Sequence, residues 1–115
     1  MNILIVEDHA ETRELLRSLV SQLADAVYEC SDGAEALSAY AMSQPDWVLM
    51  DIEMKGMDGI AATRQIKAAF PQARIVIVTN HDEAELRESA RAAGAVEYVL
   101  KENLLDVQRL LQLPG

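Results

Sequence analysis

Apolar residues in this chain gather in short runs, at residues 3–6, 26–30, 47–50, 75–78 and 96–100, and between the runs their spacing changes to a helical period. Five strand-then-helix units in succession predict an α/β domain on a parallel sheet. The runs at 3–6, 47–50 and 75–78 are apolar on successive residues, as suits strands covered on both faces. The run at 26–30 is more mixed and is placed nearer an edge.

Leu15, Leu19 and Leu23, with Leu16 and Val20 beside them, form a stripe for the first helix. Ala34, Leu37 and Ala41 mark the second helix, and Ala62, Ile66, Ala69 and Phe70 the third, which Pro71 ends. Leu86, Ala90 and Ala93 mark the fourth, with Gly94 as a left-handed cap, and Leu104, Val107 and Leu111 the fifth. Turn chemistry agrees with these divisions at Ser31-Asp32-Gly33, Gln44-Pro45-Asp46 and Met57-Asp58-Gly59. The chain stops at Leu113-Pro114-Gly115, read as a flexible end that is either a terminus or the start of a linker.

At 115 residues and 50% hydrophobic content, one domain over 1–115 is expected, with a core wrapped by helices on both sides of a sheet. No apolar stretch nears the roughly 20 residues that span a bilayer, and the amino terminus enters a strand at once, so a soluble chain without signal peptide or membrane contact is expected. The one cysteine, Cys30, has no internal disulfide partner and is expected as a small buried thiol in a reducing, cytoplasmic setting. A net charge of −9 argues against nucleic-acid contact by this chain.

Part of that acidity is concentrated where chemistry would sit. Four of the runs end at a polar residue or pair: Glu7-Asp8, Asp51, Thr79 and Lys101. In open α/β sheets the carboxyl edge is where ligands bind. The first loop, Glu7-Asp8-His9-Ala10, lacks the glycines and hydroxyls that cradle a free phosphate, and its carboxylates would instead attract a hard divalent cation. Alternatively, Asp8 or Glu11 merely complements the dipole of the next helix. Asp51 adds a third carboxylate, costly to ionise without a cation or Lys101, and adjacent strands about 4.8 Å apart would let two carboxylates share one ion. Lys101 suits a phosphoryl oxygen or a carboxylate, and Thr79 offers a hydroxyl. Taken singly, these two read as a solvated lysine and a β-branched strand residue; the coincidence at four strand ends favours a site. His9 is read as a solvent-facing helix-start residue, since hard cations prefer oxygen.

These residues together make the chain resemble a response-regulator receiver domain of two-component signalling over its whole length. The marks are Glu7-Asp8, Asp51 followed by Glu53-Met54-Lys55-Gly56-Met57-Asp58-Gly59, then Thr79, Tyr98 and Lys101. Val6-Glu7-Asp8-His9 and Met57-Asp58-Gly59 further resemble the NarL/FixJ (LuxR-type) class, which usually carries a carboxyl-terminal DNA-binding domain. Three positions depart from the family's habit: Lys55 and Glu102 stand where proline is common, and Asn80 where a small residue is common.

The resemblance implies a flavodoxin-like (βα)5 fold, a doubly wound five-stranded parallel sheet with strand order 2-1-3-4-5. It implies that Asp51 accepts a phosphoryl group from a sensor histidine kinase or a small phosphodonor. Mg²⁺ (or Mn²⁺) would be held by Asp8, Asp51 and the backbone carbonyl of Glu53, with Glu7 acting through water. Lys101 and Thr79 would contact the phosphoryl oxygens, Thr79 and Tyr98 would form the switch, and Glu53, Asn80 and His81 would tune the lifetime of the signal. Output would pass through the fourth helix, fifth strand and fifth helix, with homodimerisation on phosphorylation as one outcome. Such a domain is no enzyme beyond its own phosphorylation and slow dephosphorylation. Two other readings stay in view: a stand-alone or degenerate receiver working as an interaction module, and a metal-dependent phosphohydrolase passing through an aspartyl phosphate.

Overall fold

The computed structural model of the chain describes residues 1–112. The expected end at Leu113-Pro114-Gly115 lies outside the described residues. The strands are β1 (Asn2–Val6), β2 (Ala26–Cys30), β3 (Trp47–Met50), β4 (Ile75–Thr79) and β5 (Glu97–Leu100). Between and after them come helices α1 (Ala10–Val20), α2 (Ala36–Ser43), α3 (Gly59–Ala69), α4 (Ala84–Ala93) and α5 (Leu105–Leu111). All pairings are parallel and the order is β2-β1-β3-β4-β5, as the resemblance implied. No described helix is long and apolar enough to cross a membrane.

Continuous apolar runs became fully covered strands. Every residue of β3 and β4 is buried, as is Ile3 to Val6 of β1, whereas β2 and β5 lie at the edges and are only partly buried. Alternation along the central strands sorts their side chains into two cores. Leu4, Val6, Val48, Met50, Ile75 and Ile77 face α2, α3 and α4 through Ala36, Tyr40, Ile66 and Ala90. Ile3, Ile5, Leu49, Val76 and Val78 face α1 and α5 through Leu16, Val20, Val107 and Leu111. Each fully buried Leu, Ile or Val contributes about 1.5–3 kcal/mol through removal from water.

Two helix stripes sit differently from the sequence reading. In α1 the buried row is Leu16 and Val20; Leu15 is 49% exposed and Leu23 lies past the helix end. Adjacent residues differ by about 100° around a helix, so either leucine row could face the sheet until the chain's entry from β1 selects one. In α2 the helix proper begins at Ala36, after a 3₁₀ turn at Gly33–Glu35, so Ala34 precedes it and is exposed. The core contacts there are Ala36 and Tyr40, the latter packed on Phe70 with ring centroids 4.8 Å apart, while Ala41 faces out. Ala69 is likewise exposed, and Val96 precedes β5 as an exposed residue.

Helix ends follow the turn chemistry. The Asp58 side chain accepts from the Ala61 N–H at 2.9 Å and opens α3. Phe70, ahead of Pro71, leaves helical geometry at φ −133°, as the pyrrolidine ring requires of its predecessor. Gly94 closes α4 at φ 110°, a conformation a β-carbon would strain.

Candidate functional site

Sheet register brings the acidic residues level. Val6 pairs with Met50, the Asp51 N–H donates to the Val6 carbonyl at 3.0 Å, and the Glu7 N–H donates to the Cys30 carbonyl at 2.9 Å. Glu7, Asp8 and Asp51 therefore leave neighbouring strands at one height. Thr79 pairs with Leu100, which sets Lys101 one step beyond β5 at the same edge.

There the lysine bends inward, its side chain only 13% exposed. Its Nζ donates to Asp51 Oδ2 at 3.2 Å and lies 3.0 Å from Glu7 Oε1. The second contact is an ion pair out of hydrogen-bond alignment, so Glu7 Oε1 is buried without a hydrogen-bond partner. Glu7 Oε2 accepts from the His9 N–H at 3.1 Å, and Asp8 Oδ2 accepts a long bond from the Lys55 N–H at 3.4 Å. Asp8 Oδ1 is also buried without a hydrogen bond, though the His9 imidazole stands 3.0 Å away.

Two carboxylates thus face one ammonium, with Asp8 beside them. Burial pushes the Asp51 carboxyl up, Glu7 pushes the same way, and Lys101 opposes both, leaving it at about 6. Burial pulls the Lys101 ammonium down, but the Glu7 and Asp51 carboxylates outweigh it and hold it above its ordinary value. One ligand atom from each of Glu7, Asp8, His9 and Asp51 can be chosen so that all lie within 4.8 Å of one another. Two buried carboxylate oxygens without a hydrogen bond, in an oxygen-rich pocket of excess negative charge, fit a hard divalent cation such as Mg²⁺. His9 is 67% exposed and sits at the N-cap of α1, as the sequence reading placed it.

A second group lies at the ends of β4 and β5 and centres on His81. The His81 N–H donates to Thr79 Oγ1 at 3.3 Å, and the Tyr98 hydroxyl donates to the His81 carbonyl at 2.7 Å. Its imidazole Nε2 is 3.2 Å from Glu53 Oε1. Thr79 is fully buried, Tyr98 half-buried and Asn80 exposed. The Glu53 side chain points to His81 from the loop after β3, so two of the three residues marked for tuning touch each other.

Sequence reading missed two arginines here. Arg13 of α1 donates to the Glu7 main-chain carbonyl at 2.8 Å and to Glu29 Oε1 at 3.1 Å, tying the acidic loop to the helix after it. Arg87 of α4 stacks on the Tyr98 ring at 4.7 Å while its guanidinium pairs with Asp82. Neither carries a local signal, since arginines on helices of this charge are ordinarily surface residues. The Lys101–Glu102 peptide is trans, like all peptides among the described residues.

Comparison with known proteins agrees with this geometry. The profile of the response regulator receiver domain matches residues 3–113. The chain is 38% identical over 100 residues to the chemotaxis protein CheY of Bacillus subtilis, covering 86% of this chain and 83% of that protein. A two-component response regulator of the LuxR family from Aurantimonas sp. SI85-9A1 superposes with a TM-score of 0.85 at 34% identity, covering 96% of this chain and 84% of that one. A chain of the CheX-CheY-BeF3-Mg²⁺ complex from Borrelia burgdorferi superposes with a TM-score of 0.88 at 26% identity, covering 95% of this chain and 84% of that one. Several other curated relatives are longer, and the chain spans about half of their length or less. With a sheet in the order 2-1-3-4-5, an acidic cluster and an inward lysine at its carboxyl edge, and a profile match across nearly its whole length, the chain belongs to the response regulator receiver domain family.

Proposed function

We propose that this chain is a Mg²⁺-dependent phosphoacceptor of the NarL/FixJ (LuxR-type) class, with Asp51 receiving the phosphoryl group of a sensor histidine kinase. The observation that carries this reading is the buried Asp51 carboxylate held by Lys101 beside Glu7 and Asp8. The LuxR-family neighbours support the class, and the beryllofluoride and magnesium named with the Borrelia protein support the chemistry.

A carboxylate attacks an anionic phosphoryl group only when their mutual repulsion is screened. Asp8, Asp51 and the Glu53 carbonyl would hold a divalent cation, with Glu7 acting through water, and that cation would supply part of the screening. The protein supplies the rest. Lys101 fixes the Asp51 carboxyl through its hydrogen bond and presents a positive charge where the arriving oxygens would gather. A carboxylate oxygen of Asp51 forms the new bond to phosphorus as the bond to the donor's imidazole nitrogen breaks, giving an acyl phosphate. In exchange for its contact with the His81 N–H, the Thr79 hydroxyl donates to a phosphoryl oxygen. Tyr98 is coupled to that exchange because its hydroxyl is held by the carbonyl of the same residue, His81. Its release redistributes the face made by α4, β5 and α5, with homodimerisation as one output and a DNA-binding domain as the effector.

Incubation with acetyl phosphate, with and without Mg²⁺, followed by intact-mass measurement tests the reading. One phosphoryl group is expected to appear with the metal only, and to be lost in Asp51→Asn. Continuous phosphate release from varied monoesters would instead favour a phosphohydrolase. A chain unreactive under all conditions would favour an interaction module.

A further inference from the structure

The loop from Asp51 to Asp58 carries the Glu53 carbonyl assigned to the metal, and its neighbours in space come from the turn after β2. Gly33 in that turn is buried, and a β-carbon added to it would lie 2.0 Å from the Met57 carbonyl oxygen and 3.2 Å from Met54 Cε. Gly56, at φ 76°, stands against Asp32, whose Oδ1 would lie 2.9 Å from a β-carbon there. At the loop's far end the Gly59 N–H donates to the Ile52 carbonyl at 2.9 Å, and a β-carbon on Gly59 would lie 1.9 Å from the Asp51 carbonyl oxygen.

The turn itself is tightly specified. Asp32 Oδ1 accepts from the Ala34 N–H at 2.8 Å, the Glu35 N–H donates to the Asp32 carbonyl at 3.1 Å, and the Cys30 thiol donates to the same carbonyl at 3.1 Å. A rigid turn on β2 therefore presses on a loop of β3, on either side of β1, the strand that leads into Glu7 and Asp8. On its free side that loop meets the acidic pocket through the Lys55 N–H and Asp8 Oδ2.

We propose that Asp32 and Gly33 are positioning residues for the metal site: by bracing Gly56 and Met57 from behind, they set where the Glu53 carbonyl and the Lys55 N–H stand relative to Asp8. The inference rests on the proposed function, since it concerns the same divalent site. A main-chain carbonyl cannot rotate away from a new β-carbon as a side chain can, so Gly33→Ala displaces residues 54–57. Asp32→Ala removes the side-chain bond to the Ala34 N–H and the contact with Gly56, whereas Asp32→Asn retains an acceptor oxygen at the same place.

Calorimetric titration of the metal-free full chain with Mg²⁺ alone tests this, alongside the midpoint of thermal unfolding without metal. Gly33→Ala is expected to bind Mg²⁺ about 10-fold more weakly or worse, the range for loss of support behind a metal ligand. Asp32→Ala should shift in the same direction and Asp32→Asn should restore binding. Leu111→Ala, destabilised in the core on the opposite side of the sheet, should lower the unfolding midpoint and leave the affinity alone. Should Gly33→Ala fail to fold, the Asp32 pair carries the test. Unchanged affinity in Asp32→Ala and in any folded Gly33→Ala, while the unaltered chain binds Mg²⁺, would overturn the brace alone. Absence of Mg²⁺ binding by the unaltered chain would overturn the metal reading and the brace together.

Discussion

The two halves of the sheet's carboxyl edge are built on different physics. At β1, β3 and the end of β5, Glu7 and Asp51 are 1% and 3% exposed and are held by the Lys101 ammonium. At β4 and the face of β5, Thr79, His81 and Tyr98 are joined by neutral hydrogen bonds through one residue's main chain. Buried charges resist rearrangement, because removing one partner leaves the other uncompensated, at about 3–5 kcal/mol. A neutral hydrogen bond is worth about 1 kcal/mol and can be exchanged for another. The first half thus suits a fixed reaction centre and the second a switch.

The largest effect expected from breaking this contrast is at Lys101. Lys101→Met leaves Glu7 and Asp51 buried with no counter-charge, and its rate of phosphorylation by acetyl phosphate, followed by mass, should fall about 10²-fold or more. The same variant should unfold at lower temperature than the parent at pH 7, with the gap narrowing as the carboxylates are protonated.

A second effect is on stability against pH. Burial and Glu7 push the Asp51 carboxyl up to about 6 in the fold from an ordinary 3.8, so between those values the folded chain holds more protons than the unfolded one. Its contribution therefore favours the fold below that window, is lost as pH rises through it, and is flat above. At about 1.4 kcal/mol per unit, the loss is up to about 3 kcal/mol, reduced by whatever screening water in the cleft provides. Denaturant melts from pH 4 to 7 should show Asp51→Asn gaining on the parent as pH rises, and added Mg²⁺ should shrink that gain.

The contrast also explains what could be read from the chain alone. Acids and a lysine at strand ends were legible because continuous apolar runs fix where a strand stops, and parallel pairing then brings the stops together. Helix faces were less legible: Leu15-Leu16 and Leu19-Val20 offer two adjacent rows, and only docking on β1 and β3 chooses Leu16 and Val20. The contact of His81 with Glu53 was invisible, because it joins two loops whose relative position depends on the packing beneath them. Arg13 and Arg87 were passed over for a similar reason, since a helical arginine shows its target only when the neighbouring strand is in place.

Smaller effects lie in the second half. Tyr98→Phe deletes the bond to the His81 carbonyl and should cost about 1 kcal/mol in a denaturant melt. It should leave the extent of phosphorylation unchanged while altering amide shifts across α4 and β5. Smallest of all, Arg87→Ala removes a partly exposed cation–π contact worth about 0.5–1 kcal/mol. By NMR it should raise the mobility of the Tyr98 ring without affecting Mg²⁺ affinity. A loss of phosphorylation in either variant equal to that of Lys101→Met would erase the distinction between the two halves.

The central claim is that one particular carboxylate of the buried acidic cluster becomes the acyl phosphate. Reducing the phosphorylated chain with borohydride converts the modified aspartate to homoserine, and peptide mass mapping then locates it. Homoserine is expected at position 51 alone, formed only when Mg²⁺ was present. Modification at Asp8, at Glu7, or at position 51 without regard to metal would contradict it.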